Sequence, residues 1–148
     1  MRSRLALAVS VAALLPALAL AQAPALNWGP APAVFAAGAK MAVLQGNPGS
    51  NELFTVRLSM PDGYKIAAHW HPTDEHITVI SGTFLVGMGD TLNAAKTTAL
   101  PAGGFVTAPA KMNHYAIARG PTVVQVHAMG PFSLTYVNPK DMPQTAAK

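Results

Sequence analysis

Two histidines one residue apart, His69-Trp70-His71, constrain this chain more than any other feature. On an α-helix, residues two apart point in nearly opposite directions. On a β-strand they point to the same side, because side chains alternate with period two. The spacing therefore predicts a strand whose two imidazoles look into one space. Glu75 follows four residues on, and His114 adds a third imidazole from a separate segment. Three nitrogens and a carboxylate oxygen form a donor set that suits a divalent first-row transition metal.

The rest of the chain supports a strand-rich fold. Short apolar or alternating segments recur between turn signals, the spacing expected of a sandwich or barrel. The expected strands are 41–45, 52–59, 64–69, 76–80, 83–88, 97–100, 105–108, 113–119, 122–129 and 132–137. Pro61-Asp62-Gly63 and Pro101-Ala102-Gly103-Gly104 are the clearest turns. Ser81-Gly82 is expected to stop the strand 76–80 and make 83–88 its hairpin partner. Beyond the first 21 residues no segment repeats its apolar residues with a helical period, so the fold class is all-β.

Arg2 and Arg4 precede an apolar run, Leu5 to Leu20, that ends in Ala19-Leu20-Ala21 before Gln22. This layout is that of a secretory signal peptide cleaved after Ala21, and it places the mature chain in the periplasm or outside the cell. The run is about 16 residues, short of the roughly 20 of a membrane-spanning helix, and it contains Pro16. A chain starting at Gln22 keeps eight Lys/Arg and six Asp/Glu, so its formal charge falls from +4 to +2. No Lys/Arg cluster remains to track a phosphate backbone, which argues against nucleic acid as a partner. The lack of cysteine excludes disulfides, thiolate ligands, a cysteine nucleophile and a lipid anchor on cysteine. Any metal must be held by nitrogen and oxygen. Residues 22–38, uncharged and rich in Ala and Pro, read as an extended arm, 39–140 as the β-barrel domain and 141–148 as a tail.

Gly63, His69, His71, Glu75 and Gly82 stand in the pattern Gly-x5-His-x-His-x3-Glu-x6-Gly. In this the chain resembles the first motif of the cupin superfamily at every spacing. Gly103, then Pro109 after five residues, then His114 resemble the second motif. There, Lys111 stands where the family has glycine and Ala118 where it has asparagine. The resemblance runs from Gly63 to about Ala118. It implies a small jelly-roll β-barrel of cupin type, with a metal near one mouth held by His69, His71, Glu75 and His114. Small cupins often pair as homodimers, which edge strands and an Ala/Pro arm would suit. The family hosts dioxygenases, isomerases, decarboxylases, hydrolytic enzymes, sensors and storage proteins, so the reaction must be argued from the site.

Alternation along 64–69 groups His69 and His71 with Lys65 and Ala67, and the small Ala67 leaves room for an ion and a substrate. Glu75 shares parity with Ile77 and Val79. An unpaired carboxylate among such neighbours is costly, and a metal resolves the cost. His76 should point the other way, as an outer-face histidine or a partner behind the ligands. His127 alternates with Val124 and Val126. On a strand lining the barrel mouth it is the candidate catalytic acid/base, and with the valines turned to the other layer it faces solvent. Phe54, Tyr64, Phe84, Met88, Phe105, Met112 and Tyr115 read as core or pocket lining, while Lys65 or Lys111 could meet a substrate carboxylate. The implied cofactor is one divalent transition ion: Mn, Zn, Fe, Cu or Ni. Two functions follow from such a site. The first is a metalloenzyme of oxygenase or isomerase kind acting on a small oxygenated organic molecule. The second is a noncatalytic module, a sensor or carrier, that binds a metal or small ligand.

Overall fold

The computed structural model describes residues 25–143, so the signal-peptide reading of 1–21 and the end of the tail lie outside the described residues. Nine strands are present among the described residues: β1 (Gly29–Pro30), β2 (Lys40–Gln45), β3 (Leu53–Met60), β4 (Lys65–Trp70), β5 (Glu75–Met88), β6 (Thr98–Pro101), β7 (Phe105–Ala108), β8 (His114–Met129) and β9 (Thr135–Tyr136). β5 and β8 form the frame, pairing antiparallel from Glu75 opposite Ala128 to Met88 opposite His114. Onto β8, β3 adds along Thr122–Met129 and β4 along His114–Ile117. Onto β5, β7 adds along Glu75–Thr78 and β6 along Thr83–Val86. The two long strands thus belong to both layers, β2-β3-β8-β5-β7 and β9-β4-β8-β5-β6, as in a jelly roll. The all-β expectation holds.

Five of the expected strands are joined or cut short in the structure. Segments 76–80 and 83–88 are not a hairpin but one strand, β5, bent at Gly82. There φ is +79° and the register with β8 shifts on either side, so the chain bulges and turns a corner without ending. The stretch 83–88 pairs instead with β6 and the first half of β8. Segments 113–119 and 122–129 are likewise one strand, bent through Gly120 (φ +70°). The segment 132–137 forms a strand only at Thr135–Tyr136. A turn signal in a bent sheet is also a corner signal, and local sequence does not separate the two.

The core lies between the layers. Phe54, Val56, Leu58 and Met60 alternate inward along β3 and meet Ile77 and Val79 of β5 and Val124 and Val126 of β8, all buried. Each such side chain contributes roughly 1.5–3 kcal/mol by leaving water. Three side chains expected in the core or pocket are outside it: Phe105, Met88 and Met112 are 58%, 44% and 45% exposed. Phe105 sits at the start of the edge strand β7 on the outer face, where its ring stacks on His76 at 6.2 Å.

Candidate metal centre

β4 brings His69 opposite His114, the first residue of β8, while Glu75 opens β5. His71 follows β4 by one residue. A backbone bond from Lys111 N–H to the His71 carbonyl, 2.8 Å, ties that segment to the turn before His114. The Asp74 carboxylate accepts the Ala110 N–H at 2.7 Å and holds the same turn. Lys111 is in the left-handed conformation at φ 62°, the one non-glycine residue with positive φ among the described residues. The family pattern has glycine here because only glycine adopts that conformation without steric cost.

The structure brings His69, His71, His114 and Glu75 together, all buried. One ring nitrogen from each imidazole lies within 4.8 Å of the others. Glu75 Oε2 sits 3.3 Å from His114 Nε2 and 3.5 Å from His71 Nε2. The backbone decides which nitrogen of each ring faces the site. Nδ1 of His69 donates to the Ala67 carbonyl (2.7 Å), that of His71 to Ser133 (2.7 Å), and that of His114 to Met112 (2.9 Å). A carbonyl accepts only, so each Nδ1 carries a proton and each Nε2 faces the site, where a neutral ring offers its lone pair. The Nε2 atoms of His71 and His114 are buried with no hydrogen-bond partner. Buried polar atoms are rarely left without partners. Three imidazoles fixed by carbonyls behind them, beside a carboxylate, fit a divalent ion, and the three histidines could hold one.

The electrostatics agree. Burial, reinforced by His114 and His71, lowers His69 to about 3, so this ring stays neutral and available as a donor. Burial alone would raise Glu75, but the imidazoles of His114 and His71 outweigh it and hold the carboxyl below the usual carboxylate range. For His114, burial pulls down, but the adjacent Glu75 carboxylate prevails and raises it. The buried carboxylate thus calls for positive charge on the imidazole side, as a proton or a metal ion.

These four side chains line a cavity of about 320 Å³. Ile66 faces it along with His69, because the pairing of β4 with β8 slips between the two and breaks strict alternation. The expectation that Ala67 and Lys65 share the imidazole face therefore fails: Lys65 is exposed, and neither it nor Ala67 lines the cavity. Lys111 does not line it either. His127 is not brought to the site. Val124 and Val126 line the cavity, whereas His127 projects to the outer face. There its Nδ1 pairs with the Thr55 hydroxyl (2.9 Å) and its Nε2 with the Gln125 amide (3.0 Å). Its expected role as acid/base has no support in this geometry. His76 is also on the outer face, 3.1 Å from the Thr107 hydroxyl.

Sequence reasoning missed the segment 132–136 and the arm. Phe132 stacks on His71 at 4.3 Å and 19°, and Tyr136 packs edge-on to His69 at 6.2 Å. The Tyr136 hydroxyl donates to the Val34 carbonyl (2.9 Å), and that of Tyr64 to Ala36 (2.7 Å). Pro32, Val34 and Phe35 thereby become part of the cavity wall. The alternation of Phe132, Leu134 and Tyr136 was the one available signal that this segment presents a continuous face.

Residues 11–135 match the model of a family described as a domain of unknown function, DUF4437. The chain is a cupin of the DUF4437 family. No curated protein matches it significantly. Among solved structures, this cupin is similar to a candidate acetylacetone dioxygenase from Methylibium petroleiphilum PM1, at 25% identity and a TM-score of 0.61 over 80% of this chain and 79% of that one. It is similar in fold to the polyketide cyclase RemF from Streptomyces resistomycificus, at 15% identity and a TM-score of 0.65 over 82% and 91% of the two chains. An RmlC-like cupin from Shewanella frigidimarina matches at 20% identity and a TM-score of 0.57 over 72% and 86%.

Proposed function

We propose that this cupin is an exported metal-dependent enzyme of the dioxygenase or isomerase kind, acting on a small oxygenated organic molecule. The observation that carries the reading is the set of Nε2 lone pairs, locked by backbone carbonyls and set beside an ionised Glu75 in the lining of an apolar cavity. His69, His71, His114 and Glu75 would hold one divalent ion: Mn, Zn, Fe, Cu or Ni. Such an ion, when bound, supplies Lewis-acid or redox chemistry. The chain's own residues do the rest. The carbonyls of Ala67, Met112 and Ser133 orient the imidazoles, Glu75 offsets charge, and the apolar walls exclude water and position the substrate. Similarity to the Methylibium protein, named for acetylacetone dioxygenase, favours oxygen chemistry. The signal-peptide layout of residues 1–21 favours the periplasm or the exterior, with 22–38 as an arm and 39–140 as the barrel. With His127 on the outer face, the ligand set holds the only acid/base groups among the described residues lining the cavity, which keeps a noncatalytic binding module as the second reading.

Screening separates the two. The protein reconstituted with each of the five ions is offered 1,2- and 1,3-oxygenated compounds, with oxygen uptake and NMR of the products as readouts. Turnover that His69→Ala abolishes in a folded protein supports the enzyme. Saturable binding with no turnover under any ion supports the module.

A further inference from the structure

Resting on the metal-dependent reading above, we propose that the cavity takes ligands that are uncharged and apolar away from the metal, and that Val34, Phe35 and Leu134 form the wall that enforces this choice. Polar side chains are confined to one cluster. Among the described residues lining the cavity, only His69, His71, Glu75, His114 and Ser133 carry them, and no Lys or Arg takes part. The cations that could have met an anionic substrate look elsewhere. Lys65 and Lys111 are exposed and off the lining, and Arg57 donates to Gln125 on the outer face at 3.0 Å. A carboxylate or phosphate at the far end of a ligand would lie in a low-dielectric wall with no partner. An apolar body at the same place gives up only its contact with water.

The wall is fixed relative to the imidazoles. Tyr136 packs against His69 and bonds the Val34 carbonyl, and Tyr64 bonds that of Ala36, so the arm is held across the cavity and not merely near it. At about 320 Å³ the space is at the small end of ligand pockets, which run from roughly 300 to 1,000 Å³. Ketones, enols and phenols of modest size have the required chemistry. Acids with a second anionic group do not.

Calorimetric binding to the metal-loaded protein tests this with terephthalate and its monomethyl ester. The two share a ring and one carboxylate for the metal and differ only in the charge at the far end. The ester is expected to bind at least about tenfold more tightly. Val34→Lys sets a cation in the wall without touching an imidazole and should erase or reverse that preference. Leu134→Lys serves the same purpose if Val34→Lys does not fold. Equal affinities, no binding of the ester, or a preference unchanged in the lysine variants would overturn the proposal. If elemental analysis shows that the protein takes no metal, acetophenone and 4-acetylbenzoate are compared on the metal-free protein. A tenfold preference for the neutral ketone then keeps the wall assignment while the metal reading falls, and equal binding overturns both.

Discussion

Two glycines of the first cupin motif share a conformation but not an environment, and alanine at each should separate backbone cost from steric cost. Gly63 has φ +72° and Gly82 has φ +79°, both left-handed. A Cβ at Gly63 would meet nothing within 4 Å. Gly63→Ala therefore pays only for the left-handed backbone, roughly 1–2 kcal/mol, partly offset by the smaller entropy of unfolded alanine, for a net loss of about 1 kcal/mol. At Gly82 the added carbon would collide with the Pro121 carbonyl and with Thr122, whose Cα would be 2.8 Å away. Thr122 is fully buried, and its hydroxyl lies within bonding distance of the Gly120 carbonyl (3.0 Å) and the Thr83 carbonyl (3.2 Å). Displacing it adds the cost of overpacking and of an unpaired buried hydroxyl, about 1–3 kcal/mol each. We expect Gly82→Ala to lose at least about 3 kcal/mol in total. With a urea m-value of about 1–3 kcal/mol/M, the two midpoints should lie roughly 1 M apart at unchanged m. Equal losses at the two glycines would refute the claim that the β5 corner is closed against the β8 corner.

Lys111→Gly removes the strain of a left-handed lysine at a small entropic cost, so stability should rise by up to about 1 kcal/mol in urea unfolding, and a loss of that size would contradict the turn geometry. Burial, helped by Tyr136, raises Tyr64 to about 12. The unfolded chain gives up this proton near pH 10 while the folded chain keeps it, so stability present below pH 10 is lost as pH rises toward 12. The urea midpoint should fall more steeply over that window in the wild type than in Tyr64→Phe, and parallel curves would show that the hydroxyl is not held as described. Glu75→Gln keeps the shape of the side chain but removes the charge, and it should weaken divalent-ion affinity by about tenfold or more, read by competition with a chelator. An unchanged affinity would take Glu75 out of the ligand set.

The features legible in sequence are those fixed by short-range geometry. His69-x-His71 reads as strand because only alternation aims both rings one way, and Glu75 shares inward parity with Ile77 and Val79. The corners at Gly82 and Gly120 look like strand ends in sequence, since a glycine with positive φ marks a bend whether or not pairing continues. Parity left both faces open for His127. Only the pairing of β8 between β3 and β5 shows that Val124 and Val126 take the inside. The slip of register in β4 was invisible, and with it the place of Ile66 beside the imidazoles. The arm was least legible. Its role depends on carbonyls of Val34 and Ala36 that accept from tyrosines 102 and 28 residues away, and a carbonyl carries no sequence signal.

The central claim is that this donor set holds a metal. The most direct test is elemental analysis of the purified, untagged protein, with His114→Ala and Glu75→Ala purified alongside. A single transition-metal ion per chain is expected in the wild type, and its loss in both folded variants. A wild-type protein that takes up no ion, even after reconstitution with Mn, Fe, Ni, Cu and Zn in turn, would contradict that claim.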